Sequence, residues 1–257
     1  MIGPESGYPQ MIVAAGHTEP CPRRVRATLG DQLALDSTQV RYVWEWPGYP
    51  QFYVPRSDVR ATLNDEGTTR TDDFGTAVRH GVSLGDRHCA DAAWVYGTDA
   101  DPGVAGTVRF DWSALSSWYE EDEQVFVHPR NPYTRVDALR STRLVRIELA
   151  GAVLAESRAP VLVFETGLPT RYYLDPTAVD RSHLVPSDTV SECPYKGRTT
   201  AYWSIAVDGA VQPDLAWSYD FPTRQLLPVA GLICFYNERV DITVDGIRQP
   251  RPSTPFS

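Results

Sequence analysis

Apolar and polar positions along this chain change over short distances. Leu144–Leu149 alternates, Val161–Phe164 is a continuous apolar run, and Tyr202–Val207 is rich in aromatic and β-branched side chains. These are the patterns of half-buried and fully buried strands. Asp208-Gly209 stands between Ile205-Ala206-Val207 and Ala210-Val211, and Asp245-Gly246 follows Ile242-Thr243-Val244. That dipeptide supplies the positive φ angles of a tight hairpin turn, so hairpins are expected at both places. The 21 prolines are spread through the chain and exclude long helices. Helical turns are expected only at Pro176–Asp180, just after Asp175, and at Trp112–Tyr119. The fold class read from the pattern is all-β, built of short antiparallel strands with few short helical turns.

The same pattern occurs twice. Val25–Val59 lies over Val145–Val179 at a constant offset without a gap, and eight positions are identical, among them Val25/Val145, Leu29/Leu149, Glu45/Glu165 and Tyr53/Tyr173. Further on, Ala93-Trp94-Val95-Tyr96 answers Ala216-Trp217-Ser218-Tyr219, and Val104-Ala105-Gly106 answers Val229-Ala230-Gly231. Units this long behave as duplicated domains rather than as a solenoid of short repeats. The division expected is an irregular segment at 1–22, a first domain at 23–117, a connector at 118–142, a second domain at 143–248 and a tail at 249–257.

Composition narrows the chemistry. A net charge of −9 and a pI near 5.0 argue against a nucleic-acid partner, which needs a concentrated basic face. No apolar run approaches the roughly 20 residues of a membrane span, and Met11–Ala15 is too short for a signal core; a cytoplasmic location is expected. Cys21, Cys89, Cys193 and Cys234 are scattered, with no Cys-x-x-Cys pair and no histidine at zinc-ligand spacing. No metal and no cofactor are implied, and no phosphate loop, Gly-x-Gly-x-x-Gly or Gly-x-Ser-x-Gly occurs.

The chain has 23 arginines and one lysine, Lys196. An amine can act as base, nucleophile or neutral donor when buried, which a guanidinium cannot. Lys196 stands in Ser191-Glu192-Cys193-Pro194-Tyr195-Lys196-Gly197, where Pro and Gly fix a turn; the stretch Thr71-Asp72-Asp73-Phe74-Gly75 in the first copy has no lysine. Glu45 and Glu165 each follow an apolar strand, where a carboxyl pKa can rise into the range of a general acid or base. Tyr173, repeated as Tyr53, is the tyrosine of the next strand chosen to share a face with Glu165. Asp188 is a candidate to orient Lys196. Trp203, Trp217 and Tyr219 are candidates to floor an aromatic cavity, with Arg171 and Cys193 as further ligand-binding groups; a nearby ammonium would favour a Cys193 thiolate. Plainer readings stay open: a solvated lysine, a carboxylate tied to an arginine, a core tyrosine, a turn-capping aspartate and core tryptophans.

Cys193-Pro194-Tyr195-Lys196-Gly197, Tyr202-Trp203-Ser204, Ala216-Trp217-Ser218-Tyr219 and Phe235-Tyr236-Asn237-Glu238-Arg239-Val240-Asp241 resemble the family catalogued as domain of unknown function 427. The whole chain looks like its tandem, two-domain form, with the first copy lacking the Cys-Pro-x-Lys-Gly segment. The resemblance implies a β-tent, two small antiparallel sheets leaning together over a cleft. Several β-tent relatives hold zinc through two Cys-x-x-Cys pairs, which this chain lacks. The family also carries a nucleotidyltransferase label, for which neither a phosphate cradle nor Mg²⁺-binding carboxylates appear at readable spacing.

The expectation is therefore a small-molecule site in the cleft of the second domain, floored by Trp217 and Tyr219. Proton transfer or carbonyl chemistry would use Lys196 as electrophile or amine base, Glu165 as acid/base and Tyr173 as oxyanion donor. A non-catalytic module binding a small molecule or peptide is the alternative. The partners expected are an unidentified small molecule and a second copy of the chain in a homodimer, with no nucleic acid and no membrane.

Overall fold

Alternation with period two and turns rich in Gly, Asp and Pro disfavour long helices, and none forms among the described residues. The computed structural model describes residues 13–254. The protein is all-β: antiparallel sheets with lone 3₁₀ turns. Its residues divide between Pro132 and Tyr133 into two compact units.

Each unit contains a seven-stranded and a four-stranded antiparallel sheet. In the N-terminal unit the larger sheet runs Thr18–Pro20, Arg41–Val43, Gln51–Pro55, Thr107–Phe110, Arg87–Tyr96, Gly75–Leu84, Thr62–Asp72. In the C-terminal unit it runs Val136–Arg140, Val161–Glu165, Arg171–Leu174, Ile233–Phe235, Ala210–Ser218, Ala201–Val207, Leu184–Ser187, the same order of equivalent strands. The smaller sheets pair Val25–Leu29 with Gln32–Ser37 and Val145–Leu149 with Ala152–Ser157. Even the irregularities repeat: register shifts at Ala27/Thr28 and Ile147/Glu148, and lone bridges Leu35↔Val59 and Ala155↔Val179.

Both Asp-Gly hairpins form, with φ of 49° and 78° at Asp208 and Gly209 and 52° and 81° at Asp245 and Gly246. At the helical turns, Pro176–Ala178 is a 3₁₀ turn capped by Asp175, which accepts from Thr177 N at 2.8 Å. Only Trp112–Ala114 of the second segment turns, because Ser117–Glu120 is drawn into a sheet against Val25–Leu29. Three strands of the N-terminal unit, Thr62–Asp72, Gly75–Leu84 and Arg87–Tyr96, reach ten or eleven residues, longer than expected. The stretch 118–142 is partitioned: Ser117–Glu120 and Glu123–Val125 belong to the first unit's small sheet, and Val136–Arg140 edges the second unit's large one. Within 1–22, Thr18–Pro20 pairs with Arg41–Val43, and residues 1–12 lie outside the described residues. Among the described residues no helix is long and apolar enough to cross a membrane.

The core of the C-terminal unit lies between its two sheets. Val145, Ile147, Leu154, Ile242 and Val244 from the small sheet meet Leu162, Leu174, Ile205, Leu215 and Phe235 from the large one. Burying each such side chain contributes about 1.5–3 kcal/mol. The space where a cleft was expected is filled by this core.

Candidate functional site

Side-chain alternation divides the large sheet of the C-terminal unit into two faces. Tyr172, Ala216 and Phe235 join the core between the sheets, whereas Tyr173, Trp217 and Cys234 point the other way. There they pack with Val161, Val163, Tyr202, Tyr219, Leu226 and Val229 in a second cluster. The 3₁₀ turn Arg224–Val229 contributes Leu226 and Val229 to it. The second cover is residues 188–200, which stand where the N-terminal unit joins the equivalent strands through Asp73-Phe74 alone.

That inserted segment has its own small hairpin. Glu192–Cys193 pairs with Gly197–Arg198, so Pro194, Tyr195 and Lys196 form the turn. Gly197 closes it at φ +97°, a conformation that side chains with a Cβ rarely adopt. Thr223 N donates to Lys196 O at 3.0 Å, fixing the hairpin to the unit, and Ser191 N donates to Thr199 Oγ1 at 2.8 Å, closing the hairpin's base.

Held this way, Lys196 Nζ donates to Glu165 Oε2, with the two side chains 11% and 6% exposed. It also donates to Cys193 Sγ at 3.7 Å. Burial works against the ammonium, but the Glu165 carboxylate outweighs it and raises the Lys196 pKa well above the usual lysine value. Lys196 is therefore a proton-bearing donor, not a free amine base. Burial pushes the Cys193 thiol up more strongly than the ammonium draws it down, so the expected thiolate is corrected to a thiol. Burial likewise raises Tyr173 and Tyr219 far above the usual phenol range.

Because Lys196 is the sole lysine, ¹⁵N-lysine labelling yields one side-chain ammonium resonance. We expect it to persist above pH 10.5, the ordinary lysine value, and to titrate earlier in Glu165→Gln. The linkage follows from the sign: with the folded pKa raised, the contribution of Lys196 to stability is complete below pH 10.5 and is lost only as pH climbs through the folded value.

The N-terminal unit shows the same positions fully engaged. Glu45 Oε1 accepts from Tyr53 OH at 3.0 Å and Arg109 Nε at 2.8 Å, and Oε2 accepts from Arg109 Nη2 at 3.1 Å. Tyr96 OH lies 3.5 Å from Tyr53 OH, donates to Asp72 at 2.7 Å and accepts from Arg70 at 2.7 Å. In the C-terminal unit the place of Arg109, opposite Trp94, is held by Cys234, opposite Trp217. Tyr173 OH accepts from Trp217 Nε1 at 3.2 Å and makes no bond to Glu165. Glu165 Oε1 and the Tyr219 hydroxyl, on side chains 6% exposed and a residue 4% exposed, have no hydrogen-bond partner among the described residues.

The other predicted residues separate. Arg171 lies in the cluster, but its charge is committed: it donates to Glu238 at 2.6 and 2.8 Å and to Asn237 Oδ1 at 3.3 Å, over the rings of Trp217 and Tyr236. Trp203 is excluded, since its neighbour Tyr202 takes the site face and Trp203 packs against the core between the sheets. Asp188 is exposed and makes no bond to Lys196. Sequence reasoning missed Tyr202, whose hydroxyl lies 2.9 Å from Tyr236 OH and 3.1 Å from Ser191 Oγ, and it missed Glu238 and Cys234. The pairing of Tyr202 with Trp217, and of Trp203 with Ala216, puts Tyr202 on this face and Trp203 on the other. Among the described residues no three His, Cys, Asp or Glu side chains are gathered as metal ligands.

The family model described as Domain of unknown function (DUF427) matches the chain twice, over residues 17–121 and 137–246. The chain belongs to the DUF427 family. The two matches give the tandem form of a DUF427 protein, one match in each unit and the Lys196 turn in the second. No curated protein matches the chain.

Proposed function

We propose that the C-terminal DUF427 unit binds a small molecule at the Glu165–Lys196 pair, on the face of the large sheet turned away from the small one, and transfers a proton to or from it. Glu165 is the base. The Lys196 ammonium is the acid that polarises a carbonyl oxygen, and the Tyr219 and Tyr173 hydroxyls support charge developing there.

The observation that carries this reading is the pair of idle polar groups, Glu165 Oε1 and Tyr219 OH, at positions whose N-terminal counterparts are bonded. Each has hydrogen-bonding capacity that an occupant can take up. The carboxylate is also neutralised differently in the two units. Arg109 offers Glu45 a guanidinium that never yields its proton, whereas Lys196 offers Glu165 an ammonium that can.

A panel of ketones, aldehydes and 2-hydroxyketones in D₂O tests it, with α-proton exchange followed by ¹H NMR. The wild type should exchange at least one member on the order of 10²-fold or more above buffer, and Lys196→Arg and Glu165→Gln should fall to background. Binding without exchange would identify a non-catalytic module; exchange undiminished in Lys196→Arg would remove the pair from the chemistry.

A further inference from the structure

We infer that the group held at this site is an uncharged carbonyl with an N–H or O–H donor beside it, as in a primary carboxamide, rather than a carboxylate or an amine. The inference rests on the small-molecule site proposed above and specifies what that site accepts.

Charge comes first. The cationic and anionic side chains of the cluster cancel in pairs, Lys196 with Glu165 and Arg171 with Glu238. All four are largely buried, their side chains between 0% and 11% exposed. An entering carboxylate would meet the free oxygen of Glu165, and an entering ammonium would meet Lys196. Either would place an uncompensated charge in a poorly hydrated setting, which is far costlier than placing a dipole there.

Hydrogen-bonding capacity then fixes the pattern. Glu165 Oε1 can only accept. Lys196 can only donate, and of its three N–H bonds two are directed to Glu165 and Cys193, leaving one without an acceptor among the described residues. Because these open positions sit on the two partners of one ion pair, a complementary ligand must present a donor and an acceptor close together. Tyr219 OH, able to act in either sense, lies on the same face. A carbonyl oxygen facing Lys196 with its neighbouring N–H facing Glu165 satisfies both groups at once. An analogue that lacks the donor leaves Glu165 Oε1 unpaired, a rejection that sites built around such groups enforce strongly.

The test uses the full chain with ¹⁵N-labelled lysine, so that the one ammonium resonance reports on the site. Propionamide, N,N-dimethylpropionamide, propionate and n-propylammonium are titrated in turn. Propionamide should move the Lys196 resonance saturably, with an affinity at least tenfold tighter than each of the other three. In Glu165→Gln, whose amide both donates and accepts, the preference for propionamide over its dimethyl analogue should shrink several-fold; far-ultraviolet circular dichroism checks that this variant is folded. The wild-type comparison decides independently of any variant. Propionate or propylammonium binding more tightly than propionamide, or equal binding of the dimethyl analogue, overturns the inferred class and leaves a site in place. If none of the four moves the resonance up to its solubility limit, the inference and the small-molecule reading fall together.

Discussion

Glu238→Ala is expected to destabilise the C-terminal unit by about 3–5 kcal/mol, lowering its melting temperature by roughly 10 °C or more. Glu238 has no exposed side-chain surface and holds Arg171, itself 7% exposed, through two bonds of 2.6 and 2.8 Å. Removing the carboxylate takes both of these charge-assisted bonds from a guanidinium held over Trp217 and Tyr236. Burial raises the Glu238 carboxyl pKa, but the Arg171 hydrogen bonds and charge reverse this and hold it below the usual carboxylate range. The depressed folded value means that the group stabilises the unit above pH 4.5, the ordinary value, and that this contribution is lost as pH falls through the folded pKa. Urea unfolding at pH 7 and at pH 3 should therefore show a smaller difference between wild type and Glu238→Ala in acid. The control is Asp245→Asn: its partner Arg143 is 52% exposed and Asp245 itself 45% exposed, so the loss should stay within about 1 kcal/mol. Equal effects at the two pairs would refute the role given to burial.

What the sequence disclosed follows the range of the interactions involved. The all-β class, the duplication and the Asp-Gly hairpins are local signals, and each reappears: the turns at Asp208-Gly209 and Asp245-Gly246 have the positive φ angles their residues favour. The meeting of Lys196 with Glu165 is non-local, but the scarcity of lysine and the repeated glutamate pointed to both residues. Three features depended on information that a linear pattern lacks. The Glu165–Lys196 pair lies on the face of the large sheet turned away from the small one, because residues 188–200 form a cover there, and the position of an inserted loop is set by tertiary contacts such as Thr223 to Lys196. Trp203 and Tyr202 are adjacent in sequence and alike in chemistry, so only the strand register with Ala216 and Trp217 assigns them to faces. Arg171 looked like an available cation until Glu238, 67 residues away, was found to occupy it. Asp188 failed for the opposite reason: closeness in sequence to the Lys196 turn did not bring it near the amine.

Removing both members of the Glu165–Lys196 pair is expected to do less harm to the fold than removing either one. Lys196→Met alone leaves a buried carboxylate, and Glu165→Leu alone leaves a buried ammonium, each costing about 3–5 kcal/mol. The double variant replaces two charged groups by apolar ones of similar length, against Tyr173, Trp217 and Tyr219. Attraction between buried charges is largely offset by the hydration they forgo, so the double variant should match the wild type within about 1 kcal/mol or exceed it. The coupling measured by this cycle should then be several kcal/mol, while α-proton exchange and propionamide binding are abolished. A pair kept only to hold the fold gains nothing from an amine, since a guanidinium neutralises a carboxylate through two bonds, as Arg109 does for Glu45. If the double variant were instead no more stable than either single one, the attraction within the pair would itself hold the unit together, and its resemblance to a proton-transfer pair would be a consequence of packing.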